Sequence, residues 1–84
     1  MYISPSTDLV SLSQLPVGSL GKVVSMELTG LLRRRVLDLG MVPGTPIQCI
    51  RKNPAGDPIA YLVRETIVAL RSEDAKLIKI LPFA

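Results

Sequence analysis

The sequence predicts a mainly β fold of about five short antiparallel strands, with one short α-helix inserted after the first strand. Its 84 residues are enough for one domain, so residues 1–84 are treated as a single unit. The chain is 48% hydrophobic, yet it contains one Phe, two Tyr and no Trp. The core must therefore be built from Leu, Ile and Val, in short apolar runs that turn residues separate.

The N-terminal part of the chain is predicted to be a leader that packs on the sheet. Residues 1–7 are expected to be flexible, and residues 9–20 contribute apolar side chains to the core. The first strand is predicted over Gly21–Leu28, where apolar and polar residues alternate imperfectly. The apolar residues of the leader are Leu9, Leu12 and Leu15.

A short helix is predicted to follow the first strand, over about Gly30–Leu39. Thr29 is suited to cap its N-terminus, and Gly40 is suited to the left-handed conformation that ends a helix. Apolar residues spaced at i, i+4 and i+7 predict a buried stripe on this helix. The stripe consists of Leu32, Val36 and Leu39.

A turn and a β-hairpin are predicted after the helix. Pro43 presets φ and Gly44 accepts the positive φ of a type II turn, so the chain reverses there. Two strands follow, at Thr45–Lys52 and Pro58–Arg64, and they are expected to pair as an antiparallel hairpin across the loop Asn53–Asp57.

The loop of this hairpin contains Gly56, Asp57 and Pro58, which could line a ligand pocket because Asp57 is a carboxylate beside a rigid turn. The favoured interpretation is structural, with Asp57 bonded to the backbone of its own turn. The predicted structural turn residues are Gly40, Pro43, Gly44, Gly56, Asp57 and Pro58.

The C-terminal third completes the sheet. A strand at Thr66–Arg71 is expected after a tight turn at residues 64–65. Ser72 is predicted to cap a single helical turn, and Lys76–Leu81 is predicted to be the last strand, which Pro82 ends. Because a five-stranded sheet of this size must curl or close to cover its edges, we predict a small SH3-like barrel.

The composition argues against catalysis and against a metal site within this chain. Histidine is absent, which removes the usual general base and the commonest transition-metal ligand. Cys49 is predicted to be a buried strand residue, and the adjacent Glu73 and Asp74 would make a poor chelate. We therefore expect no enzyme, no catalytic residue, no metal ligand and no cofactor.

A cytoplasmic location without membrane insertion is expected. No apolar run approaches the roughly 18 residues that cross a bilayer. The N-terminus also lacks the basic start and the continuous apolar segment of a secretory signal.

Three consecutive arginines make the helix the predicted partner-binding surface. The net charge of +3 suggests a partner with some acidic surface. One arginine could act as a finger on a GTPase site, but a solvated helix face is the commoner role, with one arginine packed locally. Arg34 and Asp38 are i, i+4 neighbours that would pair weakly. The predicted partner-binding residues are Leu31, Arg33, Arg34, Arg35, Leu37 and Met41.

Four motifs follow one another in an order and spacing that point to a known family. They are RVLDLG at 35–40, MVPGT at 41–45, PAGDP at 54–58 and ALR at 69–71. Together they resemble the FeoA family, the small cytosolic component of bacterial and archaeal ferrous-iron transport. The resemblance runs from about residue 9 to residue 80, nearly the whole chain.

This resemblance implies an SH3-like barrel without catalytic residues that acts with FeoB, the ferrous-iron permease with a cytosolic G-protein domain. It implies docking on that permease or adjustment of its nucleotide cycle, with Fe²⁺ as the transported ion, bound at most weakly at an interface. The family usually carries Gly in the last tight turn, where this chain has Arg64-Glu65-Thr66. A side chain there costs stability if the turn needs positive φ.

Other functions stay open at this point. The barrel also resembles the C-terminal domain of iron-dependent repressors, so the alternative is a metal- or peptide-responsive regulatory module. A nucleic-acid-binding barrel would need a stacking platform, and Tyr2, Tyr61 and Phe83 are scattered, so no nucleic-acid partner is predicted. A homo-oligomer formed edge to edge through an exposed strand is a further alternative.

Overall fold

The computed structural model of the chain describes residues 8–83, so the flexibility predicted for residues 1–7 lies outside the described residues. Strands dominate this range, with two short α-helices and one 3-10 turn between them. In chain order the elements are β1 Val10–Ser11, the 3-10 turn Leu12–Gln14, β2 Leu20–Met26, α1 Gly30–Asp38, β3 Pro46–Lys52, β4 Ile59–Val63, β5 Thr66–Leu70, α2 Ser72–Ala75 and β6 Ile78–Phe83.

The strands form one antiparallel sheet in the order β1-β6-β2-β3-β4-β5. The predicted mainly β class is confirmed, with six strands where about five were expected. The additional strand is β1, in which Val10 and Ser11 pair with Ile80 and Lys79. Two residues are too few to show an alternating pattern, so the sequence could not distinguish this strand from the leader.

Two irregularities let the sheet curl around its core. The register shifts between Val23 and Ser25 where β2 meets β6, and between Cys49 and Arg51 where β3 meets β4. Such shifts increase the local twist of a strand. The curled sheet encloses one aliphatic core with a single aromatic residue. Its most deeply buried side chains are Leu12, Leu15, Val23, Val36, Met41, Ile47, Cys49, Tyr61, Val63, Ile78 and Ile80.

The leader covers one end of this core. Leu12 and Leu15 are buried as predicted, whereas Leu9 is exposed. The hydroxyl of Tyr61 donates a hydrogen bond to the carbonyl oxygen of Leu12 at 3.2 Å, and burial raises the pKa of this tyrosine. The 3-10 turn is therefore fixed to β4 by the one aromatic side chain of the core.

Helix α1 contacts the core more narrowly than its sequence predicts. It ends at Asp38, and Gly40 follows with φ 103°, the left-handed conformation expected there. Of the predicted stripe, Val36 is buried and Leu32 half-buried, but Leu39 is 42% exposed, so the prediction for Leu39 was wrong. The physical reason is that α1 ends at Asp38, so Leu39 lies past the last helical residue and does not continue the stripe.

The ends of two elements also differ from the predictions. The side chain of Thr29 makes no capping hydrogen bond, although its backbone is extended as at an N-cap. Pro82 does not end the last strand, since β6 continues to Phe83. Because β1 pairs only with Ile80 and Lys79, β6 has one neighbour at Pro82, where a missing N–H is tolerated.

The turn after α1 forms as predicted. The Thr45 N–H donates to the carbonyl oxygen of Val42 at 3.0 Å, and Gly44 has φ 94°. The Gly44 N–H donates to the carbonyl oxygen of Val23 at 2.7 Å, which ties the turn to β2. Neither α-helix of residues 8–83 has the length and apolar character needed to span a membrane.

Candidate partner-binding surface

The exposed side of α1 brings together several residues predicted to bind a partner. Leu31, Arg34, Arg35 and Asp38 lie at i, i+3, i+4 and i+7, so they share one side of the helix, and all four are exposed. We call these four residues the α1 outer face. Leu31 is 68% exposed, more than any other large apolar residue of the described range. An apolar side chain one helical turn from two arginines has the chemistry of a protein-contact surface.

The three arginines have different environments. Arg33 lies off the α1 outer face, and its Nη1 donates to the carbonyl oxygens of Met26 and Leu28 at 3.4 and 3.5 Å. This is the arginine that packs locally, and it ties α1 to the end of β2. Within residues 8–83, the side chains of Arg34 and Arg35 make neither a hydrogen bond nor an ion pair, so both guanidinium groups are available to a partner.

The weak pair predicted between Arg34 and Asp38 is not formed. Arg71 and Glu73 do approach each other, with 4.0 Å between Nε and Oε1, and both of those side chains are largely exposed. Exposed pairs of this kind contribute little to stability. Asp38 therefore leaves the charge of Arg34 uncompensated at short range.

Met41 was predicted to bind a partner, and this prediction was wrong. Its side chain is 0% exposed and belongs to the core. The reason is the path of the chain after α1, where the Met41 N–H donates to the carbonyl oxygen of Val36 at 3.2 Å and the backbone turns inward. Leu37 is half-buried beside the α1 outer face.

Asp57 has a structural role different from the one predicted. Its Oδ1 accepts a hydrogen bond from the Ser72 N–H at 2.6 Å, and its Oδ2 accepts one from the Ser72 hydroxyl at 3.1 Å. These bonds hold the pKa of the Asp57 carboxyl below its usual value. Its own turn is instead satisfied by Asn53, whose Oδ1 accepts from the Ala55 N–H at 2.9 Å. Asp57 thus caps α2 across the chain, and Arg71, not Ser72, holds the N-cap position.

Two open cavities lie on the outer surface of the sheet. The first, of about 300 Å³, is lined by Leu20, Pro46, Gln48, Leu62, Arg64 and Glu65. The second, of about 400 Å³, is lined by Arg51, Asn53, Pro54, Pro58, Ala60, Ile67 and Ala69. Pro58 therefore does line a cavity, but the Asp57 carboxylate is directed to Ser72 and is absent from the cavity lining.

No ready-made cage for Fe²⁺ exists among residues 8–83, because no three His, Cys, Asp or Glu side chains lie close enough together to share an ion. Cys49 is buried, and burial raises the pKa of its thiol. A protonated, enclosed thiol is a poor metal ligand.

The comparisons with known proteins decide the family. Residues 10–82 match the model of the FeoA domain. The chain belongs to the FeoA domain family. It is 36% identical over 69 residues to the Fe(2+) transport protein A/Fe(2+) transporter FeoB fusion protein of Porphyromonas gingivalis. That match covers 82% of this chain but 8% of the relative, so the FeoA-type chain spans a small part of the fusion protein. The fusion links the family to ferrous-iron transport.

Solved structures of FeoA proteins have the same fold. The FeoA protein of Chlorobium tepidum matches with a TM-score of 0.85 and 32% identity, over 89% of this chain and 71% of that chain. The FeoA of Stenotrophomonas maltophilia, a prokaryotic SH3 domain protein complexed with zinc, matches with a TM-score of 0.75 and 31% identity, over 84% of this chain and 88% of that chain. The predicted SH3-like fold is confirmed.

A more distant likeness concerns the fold alone. A manganese-dependent transcriptional repressor matches with a TM-score of 0.80 and 16% identity, over 94% of this chain and 44% of that chain. At this identity the likeness shows that the barrel recurs as a part of larger proteins, and its function there does not transfer to this chain.

Sequence reasoning missed two features of the surface. The first is the link from Asp57 to Ser72, which are 15 residues apart and meet only through the fold. The second is Ile67, an exposed apolar residue on the edge strand β5. The uncharged run Thr66–Leu70 was a signal for such an edge, but its position in the sheet depends on the strand order.

Proposed function

We propose that this chain is a non-enzymatic accessory protein of ferrous-iron transport that docks on the cytosolic portion of a FeoB-type permease and modulates it. The observation that carries the proposal is the relative in which an FeoA-type protein and FeoB form one polypeptide. A covalent link raises the effective concentration of two modules for each other, so such a fusion is favoured when the modules act together.

The α1 outer face is the surface we propose for docking. Leu31 would provide the apolar contact, and Arg34 and Arg35 would steer the encounter toward an acidic surface. Leu37 borders this face. Arg33 is occupied with backbone carbonyls of its own chain, and Met41 is buried, so both are left out of the contact.

The chain would act from the cytoplasm and reach the inner side of the membrane through its partner. Fe²⁺ enters the proposal as the cargo of the permease, with at most weak binding at the shared interface. Nucleic acid has no part in it.

The proposal is tested by measuring the affinity of the purified chain for the isolated cytosolic portion of the permease, with nucleotide present. Arg34→Glu should weaken binding by about tenfold, because a charge reversal at the contact opposes an acidic partner. Lys22→Glu is the matched control, since Lys22 is exposed on β2 and its reversal changes the net charge equally. It should change the affinity by less than about twofold, in keeping with a charge outside the contact.

Equal effects of the two reversals would argue against the α1 outer face. Absence of binding at the highest concentration reached would argue against docking and favour the regulatory module.

A second readout separates steering from an arginine finger. If an arginine acts on the nucleotide, its reversal abolishes any stimulation of GTP hydrolysis even at saturating protein, whereas a steering residue loses affinity alone.

A further inference from the structure

The two edges of the sheet differ in how well they are protected. The β1 edge is two residues long, and β6 carries Pro82 where it extends past β1. β5 is a longer edge that pairs with β4 along all five residues without a register shift. Charges, prolines and bulges protect most natural edge strands, and Thr66–Leu70 has none of them. We propose that β5 pairs with β5 of a second copy of this chain.

The hydrogen-bonding groups of this edge are free to pair. Residues 64–65 form a two-residue turn with φ of 49° and 70°, which is typical of a type I′ hairpin. In such a hairpin the residues flanking the turn bond to each other, and bonding then alternates along the strand. Val68 therefore bonds to β4, whereas the N–H and C=O groups of Ile67 and Ala69 point away from the sheet. Within residues 8–83 no group of this chain bonds to them.

The side chains of this edge also favour a further strand. Ile67 is 59% exposed and Ala69 is exposed, and both project from the surface opposite the core. Both line the cavity of about 400 Å³ beside β5. A neighbouring strand would cover this apolar surface while it satisfies the backbone.

A second copy fits the edge in one register. An antiparallel pair with Val68 opposite Val68 of the second copy brings Ile67 opposite Ala69 at two symmetric places, so all the free backbone groups are used. If the two-fold axis moves to Ala69, Glu65 comes to lie opposite Glu73, and like charges repel. If it moves to Ile67, Ala69 faces the turn residue Glu65 and the ladder shortens.

Charge complementarity favours the same register. With Val68 at the axis, Glu65 of each copy lies next to Arg71 of the other, one residue beyond each end of the ladder. The Arg71 side chain is 65% exposed and lies 4.0 Å from Glu73, and its charge also acts on the Asp57 carboxylate. Its exposure still lets it approach Glu65 of a second copy. The paired strands are short, so the dimer is expected to be weak and dependent on concentration.

Residue-resolved hydrogen exchange tests this pairing, together with sedimentation velocity on the full chain. On concentration, the amides of Ile67 and Ala69 should become protected, while the amide of Val68 stays protected throughout because it bonds to β4. A monomer with exposed Ile67 and Ala69 amides at the highest concentration would overturn the proposal. Protection that does not change on dilution would also overturn it, since the cover would then come from the same chain.

Substitutions test the register. Ile67→Lys should abolish the dimer, and Val17→Lys, at a similarly exposed β-branched residue of the leader, should leave it intact. Glu65→Arg should weaken dimerisation by about tenfold, and adding Arg71→Glu to the same chain should restore it, because the pair then has reversed but complementary charges. If the single and the double variant dimerise like the wild type, the register is wrong. Circular dichroism confirms the fold of each variant.

Discussion

Leu31 and Met41 are both apolar residues in or next to α1, but the fold exposes one of them and buries the other. Leu31 is exposed on the α1 outer face, and Met41 is enclosed by the core. Helical spacing from the buried Val36 predicts the exposure of Leu31. The helical periodicity ends at Gly40, where the chain reverses. Whether Met41 is buried or exposed therefore depends on the geometry of the turn and could not be derived from the sequence.

Asp57 is the residue whose role differs most from the sequence-based interpretation. A turn-forming Asp usually bonds to its own turn, but here Asn53 takes that role and leaves the Asp57 carboxylate to Ser72. The contact joins the β3–β4 loop to the start of α2. It becomes visible only when β4 and β5 are paired, which brings Ile59 opposite Leu70.

Replacing Asp57 should destabilise the protein in a pH-dependent way. Hydrogen bonds from Ser72 lower the folded-state pKa of Asp57, so its stabilising contribution is present above the unfolded-state pKa of about 3.9 and is lost as the pH falls through the folded-state pKa. Urea unfolding should therefore give a lower midpoint for Asp57→Ala than for the wild type at pH 7. The two midpoints should approach each other as the pH falls below about 4.

Ser72→Ala is the matched variant for this test. It removes the hydroxyl bond to Asp57 but leaves the backbone N–H bond, so its effect should be the smaller one. A difference between wild type and Asp57→Ala that is constant between pH 7 and about pH 3 would contradict the assigned role of the carboxylate.

Among the elements, the β4–β5 hairpin has its turn where the sequence predicts it, but the residues of that turn are unfavourable for the backbone conformation they adopt. The apolar runs on either side fix a tight turn at residues 64–65. Both residues have positive φ although neither is Gly. Part of the compensation is a tertiary contact, because Arg64 packs on Gly40, where an added Cβ would come 2.7 Å from the Arg64 Cδ. The turn thereby joins the hairpin to the end of α1.

Glu65→Gly should stabilise the protein by about 0.5–1 kcal/mol, because glycine adopts positive φ without steric cost and the gain exceeds its loss of chain entropy. Glu65→Ala serves as the control, since it removes the charge but keeps the Cβ, and it should give no gain. Chemical denaturation measures both, repeated on diluted samples so that self-association is seen separately. An equal gain from the two variants would show that the charge, not the backbone, limits the stability of the turn.

For the other elements, the sequence predicted the bounds best where the element was long and its apolar pattern was regular. β3 and β5 follow clear apolar patterns, and their predicted and observed bounds agree within one residue. β1 pairs through two residues, which are too few to show an apolar pattern. β6 continues through Pro82 because β6 has one neighbouring strand at that position. Sequence patterns describe a residue's own strand, whereas these two features depend on a neighbouring strand far away in the chain.

At the scale of the whole molecule, the same limit applies to the candidate surfaces. The α1 outer face follows from one helix, and its exposed residues Leu31, Arg34 and Arg35 are among those predicted from the sequence, although their binding of a partner stays a prediction. The β5 edge follows from the order β1-β6-β2-β3-β4-β5, which a list of strands does not contain. A strand can be identified as an edge strand only when the order of the strands in the sheet is known.

The two surfaces have different chemistry and can be tested separately in one molecule. The α1 outer face combines Leu31 with two free guanidinium groups, which suits an acidic partner. The β5 edge offers the uncharged backbone groups of Ile67 and Ala69, which suit another strand. A substitution that disrupts one surface should leave the other functional, so failure of either proposal would not affect the other.

The most direct test of the proposed docking is an NMR titration of the isotope-labelled chain with the unlabelled cytosolic portion of the permease. We predict that shift changes and line broadening concentrate on the backbone amides of Leu31, Arg34 and Arg35, and that Arg34→Glu needs about tenfold more partner to reach the same changes. Amides of the β2 strand around Lys22 should stay unchanged. Shift changes that spare α1 and cluster elsewhere, or no change at the highest partner concentration, would contradict docking through the α1 outer face.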